Sequence, residues 1–157
     1  MNKFIIKIFV ILQSVLVITW FLGSAFFPLG KNFLGKSLND HASQPLIWSR
    51  ANFDGEHYVQ IATGGYGQYE QAFFPLYPLV VWTIKSILHI PPLYTGILVS
   101  LVYLLIAMKI IYKTIKIDFD QETAVLSLVF LLIFPLSFFY HAAYGDSLFL
   151  LLSTASF

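Results

Sequence analysis

Long uncharged hydrophobic runs, separated by polar stretches, set the pattern of this chain. Residues 8–29 carry no charge, and as a helix they would extend about 33 Å, enough to cross a bilayer core of about 30 Å. Residues 90–108 form a second run of this kind, and residues 123–140 form a third that contains Pro135. The pattern predicts an all-α, polytopic helical membrane protein.

A weaker run, "AFFPLYPLVVWTIKSILHI", begins at Ala72. Its uncharged part is short and carries Pro75 and Pro78, which is more typical of an interfacial or re-entrant segment than of a spanning helix. If this run spans, the lysine-rich stretch after residue 108 falls outside, against the positive-inside rule. We therefore favour the interfacial or re-entrant interpretation. The spanning alternative stays open because the long side chain of Lys85 could snorkel to the membrane surface.

Lys3 and Lys7 precede the first run, and no convincing small-residue cleavage site follows it, which predicts an uncleaved helix with a cytoplasmic N-terminus. The last apolar run is shorter than a span where the sequence stops, so we expect the N-terminal part of a longer membrane domain. The predicted order is a helix at 4–29, an outer loop at 30–71 carrying short interfacial helices, the interfacial or re-entrant segment at 72–89, a helix at 90–111, an inner loop at 112–122, a helix at 123–141 and the start of a helix at 147–157.

Composition narrows the functional classes. The chain is 58% hydrophobic and 11% charged, whereas about a quarter of a soluble domain is charged. A net charge of +1 gives no support for a nucleic-acid partner. The chain has no cysteine, which excludes disulfides, thiol chemistry and thiolate metal sites. Its four histidines lack metal-ligand spacing, so no cofactor is certain and a divalent cation stays an open alternative.

A polar cluster, "FDGEHY", lies in the stretch between the first two apolar runs. It predicts a short helix on the membrane surface, with Asp54 as N-cap, Tyr58 on the apolar face and the glycines of "TGGYG" at its end. Asp54 is then either a plain cap or a functional carboxylate at the water–lipid boundary. Glu56 and His57 are either first-turn surface residues or members of the same site, and Arg50 is otherwise an interfacial anchor.

Two further motifs flank later runs. "YGDSLF" places a second carboxylate, Asp146, between two apolar runs, where it is either a helix N-cap or an acid that faces the same cavity as Asp54. "FFPLYP" is either the start of a helix or a wall shaped for a lipid chain.

Three stretches in order, "NFDGEHYVQIATGGY", "AFFPLYP" and "FPLSFFYHAAYGDSLFLLLS", resemble the PIG-V-type mannosyltransferases. The resemblance covers residues 48–157 and implies a GT-C-fold membrane glycosyltransferase. Members of this family carry a catalytic aspartate in the first outer loop, and Asp54 matches that position. Eukaryotic members usually have Arg-Trp-Asp where this chain has Asn52-Phe53-Asp54. Their Tyr-Ser-Glu-Ser stands here as "YGDS", with a carboxylate shortened by one methylene.

The resemblance implies a polyprenyl-phosphate sugar donor, typically of mannose, and inversion at the transferred sugar. The acceptor would be a lipid, glycan or protein, and the site would face the outer or lumenal side of the membrane. One carboxylate base is sufficient because phosphate leaves without a strong general acid. In this hypothesis Asp54 is the base, Glu56 or Asp146 orients the acceptor or supports a divalent ion, and His57 or Arg50 offsets the phosphate charge. Substrate contacts are expected from Arg50, Tyr58, Tyr77 and Tyr144.

Three alternatives stay open. Another GT-C transferase would carry a different lipid-linked sugar, such as glucose, arabinose or an aminosugar. A secondary transporter would use Asp54 and Asp146 as coupling-ion sites, although transport predicts such carboxylates within helices rather than in a long polar loop. A non-catalytic subunit would use the same fold to support a complex. Under the enzyme interpretation, this piece alone is expected to be inactive, because the cavity closes only when the remaining helices pack around it.

Overall fold

The computed structural model describes residues 3–27 and 45–157, and this part of the chain is helical with no β-strand. The prediction of an all-α fold is confirmed. The helices are α1 Lys3–Phe26, α2 Pro45–Trp48, α3 Asp54–Gly64, α4 Leu76–Leu88, α5 Pro92–Asp118, α6 Gln121–Ile133 and α7 Asp146–Ala155, with 3-10 segments at Ser49–Ala51, Glu70–Ala72 and Pro135–His141. The predicted end of the first helix near residue 29, and the first part of the loop at 30–44, lie outside the described residues.

Helices α1 and α5 are long and apolar enough to cross a membrane. Helix α6 and the segment Pro135–His141 form a third candidate span, but the two are bent by 88°. The prediction of one continuous helix over 123–141 is therefore wrong. Proline disfavours helical backbone at the residue before it, and Phe134 accordingly takes φ −61° and ψ 133°.

Helix α5 continues to Asp118, so the predicted inner loop at 112–122 is mostly helix. Lys109, Lys113 and Lys116 recur every three or four residues and are good helix formers, and a basic residue in the last turn suits the helix dipole. The next helix begins promptly because the Asp120 side chain caps it, accepting a bond from the Thr123 amide at 2.8 Å. The charge pattern alone suggested a loop where the chain makes a tight helix–helix turn.

One core cluster joins α1 to α5 and α6 at the lysine-rich end of these helices. Ile5 packs there with residues that include Met108, Tyr112 and Leu128. Most of the remaining surface of α1 is exposed and apolar, as expected of a helix that faces lipid.

A second core cluster holds α3, α4, α5 and α7 together at the other end of α5. Tyr77 of α4 is its centre: the side chain is buried, and its hydroxyl donates to the Gly96 carbonyl at 2.9 Å and lies 2.8 Å from Ser100 Oγ. The Ser100 hydroxyl in turn donates to the Tyr144 carbonyl at 3.2 Å. This hydrogen-bonded chain fixes the turn that precedes α7.

Helix α4 is apolar but only 13 residues long, about 20 Å at 1.5 Å per residue. That length is short of a bilayer core, and α4 is not among the candidate spans of the described residues. The 72–89 segment thus contains one short helix, and its interfacial or re-entrant placement stays a prediction.

Candidate active site

The carboxylate of Asp54 stands at a strained turn. Helix α3 begins at Asp54, and the cap position before it is Phe53, whose backbone has φ 53° and ψ −122°. The interpretation of Asp54 as a plain N-cap is therefore wrong, because Asp54 is already the first helical residue. Its side chain is exposed, and no hydrogen bond joins its carboxylate to another described residue. A strained, positive-φ non-glycine residue is often found at a functional turn.

The turn before α7 docks directly on the turn before α3. The Tyr144 hydroxyl donates to the Asn52 carbonyl, and the Ala143 amide donates to the Arg50 carbonyl at 2.8 Å. Gly55 allows this approach, since a Cβ there would lie 3.0 Å from the Tyr144 ring. The contact brings the two carboxylates that the sequence singled out to neighbouring helix starts.

Asp146 lies at the start of the helix whose preceding turn docks beside Asp54. Asp146 is the first residue of α7. It is accessible to solvent, but the apolar walls beside it remove part of its hydration, and this burial raises its pKa, with a further rise from the charge of Asp54. Burial raises the pKa of Tyr144 to about 12, and the charges of both aspartates also act upward on it.

An apolar groove of about 500 Å³ opens beside Asp146. Its wall includes residues of "FFPLYP". The motif is the start of α4, as one of its two interpretations expects, and its role as a wall for a lipid chain stays a prediction. A second groove of about 550 Å³, lined mainly by residues of the bent span, also reaches Asp146. The first groove is lined by Tyr58, Phe74, Leu76, Tyr77, Gly145, Asp146, Leu148, Phe149 and Leu152.

Tyr58 links helix α3 to the first groove. Its ring lies edge-on to Tyr77, with centroids 5.1 Å apart, and edge-on to Phe73 at 5.2 Å. Burial is the main cause that raises the pKa of Tyr58, and the charges of Asp146 and Asp54 raise it further. The hydroxyls of Tyr77 and Tyr144 are already bonded to backbone carbonyls, so these two tyrosines shape the site through packing as well as through any substrate contact.

Arg50 packs against the first helix. Its guanidinium carbon lies 3.8 Å from the centre of the Trp20 ring, a cation–π contact. Burial lowers the pKa of Arg50 to about 10, and its Nε is buried without a hydrogen-bond partner among the described residues. The residue thus ties the site to α1 while keeping an unused donor.

Glu56 and His57 differ in their surroundings. Glu56 accepts a bond from Gln60 one turn along α3 at 3.2 Å. His57 Nδ1 lies 3.0 Å from Glu70 Oε1. Sequence reasoning missed Glu70, because thirteen positions and a glycine-rich stretch separate it from His57 and no periodicity connects them.

The described residues contain no group of three or more metal-ligating side chains of the His, Cys, Asp and Glu types. Asp54 and Asp146 are therefore a pair of carboxylates without a third ligand of these types among the described residues. Their arrangement suits proton transfer and the orientation of a hydroxyl.

No curated protein and no solved structure matches this chain. A family model described as Mannosyltransferase (PIG-V) matches residues 1–157. This match agrees with the resemblance of the three motifs, and it indicates a membrane glycosyltransferase that moves mannose. The chain belongs to the PIG-V mannosyltransferase family.

Proposed function

We propose that this protein transfers mannose from a polyprenyl-phosphate donor to an acceptor hydroxyl with inversion, and that Asp54 is the base. The observation that carries the proposal is the exposed carboxylate of Asp54 at a turn that docks on the turn leading to Asp146, the acidic residue of an apolar groove. A lipid-borne donor needs a groove for its chain and a polar site at the groove's mouth. The family match supports mannosyl transfer in general.

In this mechanism the acceptor hydroxyl gives its proton to Asp54 as its oxygen bonds to the anomeric carbon. The bond from that carbon to the phosphate oxygen breaks on the opposite face, and the lipid phosphate leaves with the electron pair. Asp146, across the docked turns, accepts a hydrogen bond from a hydroxyl of the acceptor or sugar and orients it. Phosphate is a good leaving group, so a second carboxyl acting as acid is not needed.

The groove accounts for the donor's lipid. Its wall is made of aromatic and aliphatic side chains from α3, α4, α7 and the segment just before α4, and Asp146 is its acidic member. A prenyl chain lying in this wall would hold its phosphate near the starts of α3 and α7. The expected lipid environment of α1 and α5 is consistent with a rim at the water–lipid boundary.

The test is sugar transfer by the complete gene product, purified in detergent and given labelled polyprenyl-phosphate mannose with membrane lipids and membrane protein as acceptors. We expect Asp54→Asn to lower transfer by about a hundredfold or more, since general base catalysis contributes about 10²–10⁴-fold. The matched control is Asp118→Asn, an exposed aspartate at the far end of α5, which should keep wild-type transfer.

Full activity of Asp54→Asn would remove Asp54 from the base role. Transfer from polyprenyl-phosphate glucose but not from the mannose donor would change the sugar and keep the site. Silence with both donors would favour the non-catalytic or transport alternatives. A product with the donor's own anomeric configuration would contradict inversion.

A further inference from the structure

A buried carboxylate holds one edge of an accessible histidine next to the site. Glu70 is 5% exposed, while the His57 side chain is 45% exposed. Their contact, Nδ1 to Oε1, is 3.0 Å. Burying a carboxylate is costly unless it is paired. The contact with His57 supplies that partner for Glu70, and it orients the imidazole while the other edge of the ring stays accessible.

The imidazole is held on its face as well as on its edge. The ring stacks on Phe73, with centroids 4.8 Å apart and planes at 27°. The second oxygen of Glu70 accepts a bond from the Gly67 amide at 2.6 Å, which fixes the carboxylate. Tyr66 donates its hydroxyl to the Phe73 carbonyl at 2.8 Å, which holds the backbone that carries the stacking ring. With Nδ1 on Glu70, no described residue bonds to Nε2.

The position of His57 suits a group that acts on the donor. His57 is one turn after Asp54 on the same side of α3, where Cβ atoms three residues apart lie about 5–6 Å from each other. Phe73 also contacts Tyr58, which lines the groove. An inverting displacement needs the base and the leaving phosphate on opposite sides of the anomeric carbon, so Asp54 and His57 would contact the sugar phosphate from different sides.

We propose that His57 binds the phosphate of the lipid-borne donor through Nε2, and that Glu70 is the positioning residue that orients it. The inference rests on the proposed function for its donor class. Because the Glu70 carboxylate only accepts, Nδ1 is the donor in this contact. Nε2 then donates to the phosphate in the imidazolium form, in which both ring nitrogens carry a proton, and such a charge-assisted bond is among the stronger hydrogen bonds. Glu70 therefore acts on the phosphate through His57 and does not touch it.

The experiment measures binding without chemistry. Farnesyl phosphate is titrated into the complete gene product in detergent, and farnesol, which lacks the phosphate, is the matched ligand. The variants are His57→Phe, which keeps a ring to stack on Phe73, the isosteric Glu70→Gln, and the double variant. His89→Asn is the control, because His89 is an exposed histidine at the turn between α4 and α5.

We expect His57→Phe to weaken farnesyl phosphate binding by about tenfold, the loss of one hydrogen bond to a charged group. Glu70→Gln should weaken it less, since the amide oxygen still accepts from Nδ1. The double variant should be no weaker than His57→Phe, because Glu70 acts only through His57. Farnesol binding should be unchanged in Glu70→Gln, and His89→Asn should match wild type with both ligands.

Additive losses in the double variant, or an equal loss of farnesol and farnesyl phosphate binding in Glu70→Gln, would overturn the positioning role. If His57→Phe disturbs farnesol binding too, Glu70→Gln decides the question. A lower affinity for farnesyl phosphate relative to farnesol in that variant supports the proposal, and an unchanged ratio overturns it. The binding assay involves no sugar transfer, so the two proposals can fail separately. If the variants lose affinity for farnesyl phosphate but not for farnesol, and the mannose donor is inactive in the transfer assay, the proposed function is contradicted and this inference stands. If mannose transfer is normal and all variants bind farnesyl phosphate as wild type does, this inference is overturned and the proposed function stands.

Discussion

At the scale of single residues, Gly55 controls how closely the two acidic turns approach. A Cβ at this position would lie 3.0 Å from Tyr144 Cε2 and 3.3 Å from the Ala143 carbonyl oxygen. The second neighbour is backbone and cannot rotate away, so the turn before α7 would have to move. One hydrogen atom in place of a methyl group thus allows the turn before α7 to pack against the start of α3.

We expect Gly55→Ala to destabilise the protein by about 1–3 kcal/mol, the usual cost of overpacking, and to lower mannose transfer. Gly64→Ala at the other end of α3 is the matched control: nothing lies within 4 Å of its added Cβ, so helix propensity should leave stability equal or raise it by up to about 1 kcal/mol. Thermal unfolding in detergent and a transfer assay on the complete gene product compare the two. Equal behaviour would show that the close approach is not required.

At the scale of elements, the sequence indicates the helices well and their junctions poorly. Uncharged runs predict α1 and α5 because lipid demands apolar length, and the prolines of "FFPLYP" mark the start of α4. The sequence pattern did not predict the extension of α5 to Asp118, since lysines suit both a loop and a last helical turn. The bend before Pro135 depends on local backbone preference. Glu70 could not be found, because its contact with His57 exists only after the chain folds back.

The junction of α4 with α5 offers a direct test of this element-level packing. Tyr77→Phe removes a hydroxyl that bonds both Gly96 and Ser100, and the Gly96 carbonyl loses that partner in a buried position. We expect a loss of about 1–3 kcal/mol in the free energy of unfolding. Tyr103→Phe, on the same α5 and without a hydrogen bond to another described residue, should change stability by no more than about 0.5 kcal/mol.

Denaturation of both variants in the same detergent measures the difference. A Tyr77→Phe protein as stable as Tyr103→Phe would mean that water or a neighbouring group satisfies the Gly96 carbonyl. The hydrogen-bonded chain from Tyr77 through Ser100 to Tyr144 would then contribute little to the position of the turn before α7.

At the scale of the whole molecule, charge separates the two ends of α5. Ser100, which bonds the turn carrying Asp146, lies near the first end. Lys116 lies about 24 Å further along, at 1.5 Å per residue. The start of α1 packs at this second end through Ile5, so Lys3 and Lys7 join the same side as Lys109, Lys113 and Lys116. The positive-inside rule then predicts a cytoplasmic lysine end and an outer or lumenal active site.

Cysteine labelling tests this orientation. The chain has no cysteine, so a single introduced thiol in this part of the protein can be compared with the unmodified gene product. A membrane-impermeant maleimide applied to intact cells should label Tyr69→Cys, in the polar stretch near the site where Tyr69 is 82% exposed. Lys113→Cys, on the exposed face of the last turns of α5, should react only after the membrane is permeabilised.

The result decides the role of α4. If α4 lies along the interface, residues 69 and 113 are on opposite sides of the membrane, because α5 alone crosses between them. If α4 spans instead, both α4 and α5 cross, and Lys113→Cys would be labelled in intact cells together with Tyr69→Cys. Asp54 and Asp146 would then also face opposite sides, which conflicts with the docking of Tyr144 on Asn52. The close contact of those two turns therefore favours the interfacial α4 on grounds independent of the lysines.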